Sequence, residues 1–177
     1  MTLKEALQNA RNNHVAIGHF NISDLTAFHA ICEAAKEAAV PVLIGLSEGE
    51  RAAVSVWELA ALRMVAQDAY GIDIFLNADH THDVALAREA ALAGFDEVLV
   101  DYSKLSIEEN IAKTKQLVVE LRSIHPEIII EGEIGYIGSS SAIHDVVPAD
   151  LSPLSTPEEA ERFVRETGVD VLAPAVG

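Results

Sequence analysis

At 177 residues with 50% hydrophobic content, the chain is ample for one domain with a real core and too short for two comfortable ones. Its 12 Lys and Arg stand against 28 Asp and Glu, a formal charge of -16, and with no local basic patch this excludes nucleic acid and anionic membrane surfaces as partners. A single cysteine, Cys32, rules out an internal disulfide framework and points to a cytoplasmic protein, and no apolar run approaches the roughly 20 residues of a bilayer span.

Residues 1–14 read as a helix, opened by Thr2 and Glu5 at capping-box spacing; they do not resemble a signal peptide. From there apolar β-type runs alternate with helix-periodic stretches. Strands are expected at 15–20, 41–46, 72–78, 97–101, 128–133 and 170–176, with helices at about 24–39, 56–69, 83–93, 107–123 and 157–167. The strands are nearly continuous in hydrophobicity, as burial on both faces requires, so the sheet is expected to be parallel. Ser106 with Glu109, and Thr156 with Pro157 and Glu159, mark two helix starts, while Gly94 and Gly168 close helices that lead directly into strands.

This spacing describes a βα series rather than a propeller or sandwich. A closed (β/α)8 barrel has eight strands and typically about 250 residues, and the series here ends on an apolar strand at 170–176 with no helix after it. The expected fold is therefore a TIM (β/α)8-type barrel truncated to about six βα units, one incomplete domain over 1–177. An open six-stranded sheet is the alternative. The longest connection, 135–156, has the length of a mobile lid or of a surface Ω-loop.

Strand ends are where barrels and open α/β sheets keep their chemistry. Three consecutive ones carry Asp79-His80, Asp101 and Glu131-Gly-Glu133, a set that suits a divalent cation. Adjacent residues at a strand end point to different sides, so Asp79 and His80 are expected to divide the work, one holding a metal and the other moving a proton. Glu131 and Glu133 share a side, and two carboxylates facing a barrel interior are costly without a cation or a strong donor; solvation at the strand mouth is the competing account, stronger for Glu131. His19 and His144 are weaker candidates, and His14, His29, His82 and His125 read as structural or solvated. Lys104 lies just beyond a strand end, but a Schiff-base lysine needs desolvation and Asp101, Glu108 and Glu109 beside it favour its charged form.

In these residues the chain resembles the class II, zinc-dependent fructose-bisphosphate/tagatose-bisphosphate aldolase family. The succession runs through His19-Phe-Asn21, Pro41-Val-Leu-Ile-Gly-Leu-Ser47, Asp79-His80, Ala93-Gly-Phe95, Val100-Asp101-Tyr-Ser103, Glu131-Gly-Glu-Ile-Gly135, Thr156-Pro-Glu-Glu-Ala160 and Thr167-Gly-Val-Asp170. The resemblance implies reversible aldol cleavage of fructose 1,6-bisphosphate or a related ketose bisphosphate to dihydroxyacetone phosphate and an aldehyde phosphate. It further implies zinc polarising the ketose carbonyl, His80 as zinc ligand, Asp79 as acid/base at the C4 hydroxyl, and Asp101 and Glu133 as ligands of a second or alternative cation, divalent or monovalent. Ser47 and Asn21 are implied on the substrate side, and the full-length form is expected to be a homo-oligomer.

Two further zinc-binding histidines of the family follow its sixth and seventh strands, beyond Gly177. Weak metal binding and no appreciable turnover are therefore expected of this polypeptide alone. A non-enzymatic barrel fragment or pseudo-enzyme acting in assembly is the alternative, and a Schiff-base aldolase using Lys104 is a third. Tyr102 after Asp101 and the 139–145 segment with His144 and Asp145 depart from the family pattern, and His144 or Asp145 is a candidate for proton transfer.

Overall fold

The computed structural model describes residues 1–135 and 154–176. Six strands, β1 (Gly18–Asn21), β2 (Val42–Gly45), β3 (Ile74–Thr81), β4 (Glu97–Val100), β5 (Ile129–Ile134) and β6 (Val171–Pro174), pair in chain order, every pair parallel. Helix α1 (Leu3–Asn12) precedes β1. Helices α2 (Leu25–Ala38), α3 (Val56–Tyr70), α4 (Val84–Ala93), α5 (Ile107–Ile124) and α6 (Pro157–Thr167) follow β1 to β5 in turn. The product is the expected TIM-type half-barrel of six parallel strands with alternating helices.

Local chemistry sets the helix ends. Capping boxes open α1 (Thr2, Glu5), α3 (Ser55, Glu58), α5 (Ser106, Glu109) and α6 (Thr156, Glu159), each satisfying N–H groups that have no partner inside the helix. Gly94 (φ 84°) and Gly168 (φ 76°) end α4 and α6 in the left-handed conformation, which costs a glycine little.

The alternation of side chains along each strand separates two cores. On the convex face Val42, Ile44, Ile74, Leu76, Val98, Val100 and Ile130 pack under the helices with Phe28, Leu59, Phe95, Leu121 and Phe163. Each such buried side chain contributes about 1.5–3 kcal/mol. On the concave face a smaller cluster of Leu43, Phe75 and Ile129 meets Leu3 and Ala6 of α1. It lies at the N-terminal ends of the strands, so the chain's first helix seals the base and leaves the C-terminal mouth free for polar side chains.

Three expectations are corrected. Strand β3 continues to Thr81, beyond the expected 72–78, because after Asn77 and Ala78 the ladder to β4 slips past Asp79 and His80 and resumes at Thr81. Burial on both faces holds for β2 and β4, whereas β1 is exposed throughout and β6 partly so; these two are the edges of the sheet. A short 3-10 turn, Glu50–Ala52, was not anticipated after β2. Of the 135–156 connection, only its ends fall within the described residues.

Candidate metal and acid/base site

Polar side chains fill the concave face above the apolar base. His19 and Asn21 of β1, Asn77 and Asp79 of β3, Glu97 of β4, Asp101 just past it, and Glu131 and Glu133 of β5 all occupy inward positions of the pleat. Glu97 and Glu131 form a lower layer, and Asp79, Asp101 and Glu133 an upper one at the mouth.

His80 would point outward on a regular strand. The β3–β4 register shifts between Ala78 and Thr81, and His80 itself has φ 38°, an uncommon conformation for a residue with a side chain. That local break re-aims the imidazole over the mouth. His80 Nδ1 lies 3.0 Å from Asp101 Oδ2 and 3.3 Å from Glu133 Oε2, and one donor atom from each of the three residues fits within 4.8 Å. Hydrogen bonds to Asp101 and then Glu133 push the His80 imidazole up to about 10. Burial would raise the Asp101 carboxyl, but hydrogen bonds from His80 and from Ser103 outweigh it and hold Asp101 well below the usual carboxylate range. Ser103 fixes the second carboxylate oxygen, Oδ1, through its amide (3.1 Å) and hydroxyl (2.6 Å).

These residues fit a divalent cation. One imidazole and two carboxylates suit zinc or a similar borderline ion. Glu133 Oε2 is buried, and its close polar neighbour, His80 Nδ1 at 3.3 Å, reaches it in poor hydrogen-bond geometry, leaving an under-satisfied carboxylate oxygen that a cation would satisfy.

Asp79 stands apart from this three-residue group. It is 8% exposed, and its Oδ2 accepts a 2.8 Å hydrogen bond from Asn21 Nδ2. Asn21 also approaches Glu50 Oε2 at 3.4 Å, and the same oxygen accepts from the Ser47 amide at 2.7 Å. Ser47 is thus tied to the mouth through Glu50. Arg51 braces the same corner: its guanidinium donates to Leu46 O (3.2 Å) and Thr81 Oγ1 (2.7 Å).

In the lower layer Glu97 is 4% exposed. Burial, then the charge of Glu131, pushes its carboxyl up to about 8; burial, then Asp79 and Glu133, pushes Glu131 up to about 7. Asn77, opposite Glu97 in the ladder, has both amide atoms buried without a partner. Glu131 is therefore a residue of the interior and not of the solvated mouth, because it lies two strand positions below Glu133. Burial lowers the His19 imidazole, with Asp79 opposing.

The structure brings Asn21, Asp79, His80, Asp101 and Glu133 together and puts Ser47 beside them. Lys104 is exposed on the turn after β4, not the desolvated setting of a Schiff-base lysine. His29 is on the outer surface, with Nδ1 2.9 Å from the Tyr70 hydroxyl. His144 and Asp145 lie outside the described residues. His82 departs from expectation: its Nε2 is 3.1 Å from Asp101 Oδ2 and its Nδ1 is 3.5 Å from Glu48 Oε2. The His80-x-His82 spacing was the available signal. Glu48, Glu50, Arg51, Glu97 and Ser103 were also missed, and their roles depend on neighbours distant in sequence.

Comparison with known proteins gives the family and fold that this chain resembles. The family model for class-II fructose-bisphosphate aldolase matches residues 1–177. A fructose-bisphosphate aldolase of Staphylococcus aureus (strain Mu50) is 34% identical over 182 residues, covering 100% of this chain and 61% of the relative. A 6-phospho-5-dehydro-2-deoxy-D-gluconate aldolase of Bacillus licheniformis is 35% identical over 185 residues, covering 100% and 60%. Among solved structures, the YdjI aldolase of Escherichia coli K12 superposes with a TM-score of 0.81 at 26% identity, covering 100% of this chain and 61% of that one. A Coccidioides immitis protein superposes at 0.82 with 34% identity, covering 98% and 60%. The chain thus spans about 60% of the length of the curated relatives it matches.

Proposed function

The chain belongs to the class II fructose-bisphosphate aldolase family, and on that footing we propose that it carries the first part of a metal-dependent site for reversible aldol cleavage of a phosphorylated ketose. The observation that supports this best is the convergence of His80, Asp101 and Glu133 within 4.8 Å, beside a separately held Asp79. The relatives' names differ in substrate, fructose bisphosphate in one and 6-phospho-5-dehydro-2-deoxy-D-gluconate in the other. The proposal is accordingly fructose 1,6-bisphosphate or a related ketose phosphate.

In this account His80, Asp101 and Glu133 hold the cation, zinc by donor type, and when bound it supplies the Lewis acidity that polarises the substrate carbonyl. Asp79 acts as general base on the C4 hydroxyl in the cleavage direction: it takes the proton as the C3–C4 bond breaks, the bonding electrons pass to the ketone-bearing fragment, and an aldehyde forms at C4. In condensation it returns that proton. Asn21, donating to Asp79 Oδ2 at 2.8 Å, leaves the other carboxylate oxygen available to the hydroxyl. Ser103 fixes Asp101, and Ser47 at the rim contacts the aldehyde-phosphate half of the substrate. Cytoplasmic residence and homo-oligomerisation of a full-length form belong to the same proposal.

Zinc binding and fructose 1,6-bisphosphate cleavage measured on the purified 177-residue chain test it. Saturable zinc binding that needs His80, with turnover far below that of a complete barrel, is the expected result. Absence of zinc binding would contradict the metal assignment, and robust turnover would contradict the low activity of this polypeptide alone.

A further inference from the structure

We propose that His82 is a fourth metal ligand in this chain, joining His80, Asp101 and Glu133 from two consecutive strand ends and β5, with the substrate carbonyl entering as a fifth donor. The proposal rests on the metal assignment above and goes beyond it in a residue that the sequence pattern left as solvated. Asp101 Oδ2 lies between two imidazole nitrogens, His80 Nδ1 at 3.0 Å and His82 Nε2 at 3.1 Å. The third close pair, His80 Nδ1 to Glu133 Oε2, is 3.3 Å. Donors bound tetrahedrally at about 2.0–2.1 Å are separated by about 3.3 Å, so three edges of such a polyhedron already have the right length without a cation. The His82 side chain, 44% exposed, lies outside the group of donors that already fit within 4.8 Å, and a rotation about its own torsions would close the remaining edges.

The surroundings of His82 are those of a metal-binding imidazole. A ligating histidine characteristically presents one ring nitrogen to the ion while the other faces a carboxylate that fixes its orientation. Here Nε2 faces Asp101, and Nδ1 faces Glu48 Oε2 at 3.5 Å. Glu48 is itself fixed, its Oε1 accepting from the amides of His82 (2.7 Å) and Asp83 (2.9 Å). The anchored carboxylate thus faces the imidazole at the end of β3 and leaves its torsions free to turn. This bracket and the convergence of two ring nitrogens on one carboxylate oxygen support the ligand role. His82 gives this segment a second imidazole from within its own sequence, raising its expected metal affinity above that of His80 and the two carboxylates alone.

The test is a titration of the purified chain with Zn2+, read by competition with a chromophoric chelator, and with Co2+, read by its visible absorption. Four-coordinate Co2+ absorbs far more strongly than six-coordinate Co2+. The wild-type chain is expected to bind one ion with an intense, four-coordinate Co2+ spectrum. His82→Ala is expected to weaken Zn2+ binding by at least about 10–100-fold and to collapse the Co2+ spectrum. Glu48→Gln, which keeps an acceptor for the two amides but removes the charge facing Nδ1, is expected to weaken binding by about 10-fold. His82→Gln retains a donor toward Asp101, so it serves if the alanine variant fails to fold, and it should lose affinity in the same way. Unchanged affinity and spectrum in the His82 variants, with binding lost in His80→Ala, would overturn the role of His82 and leave the three-residue centre standing. No saturable binding by the wild-type chain would overturn both.

Discussion

Glu97→Gln is a demanding perturbation because it touches neither the metal donors nor Asp79, yet the structure assigns it a large and signed effect. Glu97 is 4% exposed, faces an Asn77 whose amide atoms have no partner, and has its carboxyl pushed from 4.5 up to about 8 by burial, then by Glu131 and Asp79. The folded chain therefore holds a proton that the unfolded chain releases near pH 4.5. Stability is fully present below that pH, falls as pH rises, and reaches its floor above about pH 8. At about 1.36 kcal/mol per pH unit the total is at most about 5 kcal/mol, or at most about 2.5 M in urea midpoint for a dependence of about 2 kcal/mol per M. Glutamine keeps the shape and cannot ionise. Urea unfolding followed by circular dichroism at pH 5, 7 and 9 should show wild type losing stability relative to Glu97→Gln with rising pH, the variant being clearly the more stable at pH 9. A difference between the two that does not change with pH would refute the reasoning.

Two other substitutions probe the scaffold of the site. A methyl group at Gly45 would overlap Asn21 Oδ1 and His19 Nε2, so Gly45→Ala should displace Asn21 from Asp79 and cost about 1–3 kcal/mol; a melting temperature equal to wild type would contradict the packing of β1 against β2. Arg51→Met removes the donor to Thr81 and Leu46 and should cost about 1.5–3 kcal/mol, visible as a lowered urea midpoint, whereas an unchanged midpoint would show that this brace carries no stability.

The framework was legible because the patterns that set it are local. Capping boxes at Thr2, Ser106 and Thr156 and the terminators Gly94 and Gly168 fixed where helices begin and end, and continuous apolar runs such as Pro41 to Leu46 announced parallel strands. Asp79, His80, Asp101 and Glu133 were legible as a group because consecutive strand ends of a βα series open at the same mouth. What escaped was non-local. The slip between Ala78 and Thr81 that re-aims His80 depends on pairing with β4, and no property of the Asp-His dipeptide reveals it. Glu97 opens the expected strand 97–101, but its burial arises only when β3 and β5 flank it. His82 sat at a turn position in the sequence, and its contact with Asp101 needed both strand ends placed together.

The central claim is that His80, Asp101 and Glu133 form a cation centre, and proton release on Zn2+ binding at pH 7 tests it most directly. The His80 imidazole, pushed up to about 10 by its two carboxylate neighbours, holds a proton at that pH and must give it up to bind a metal. Calorimetric titration in buffers of differing ionisation enthalpy should show about one proton released from His80 for each Zn2+ bound, with saturable binding lost in His80→Ala and in Asp101→Asn. Saturable binding unaffected by either substitution, or no binding at all, would contradict the account.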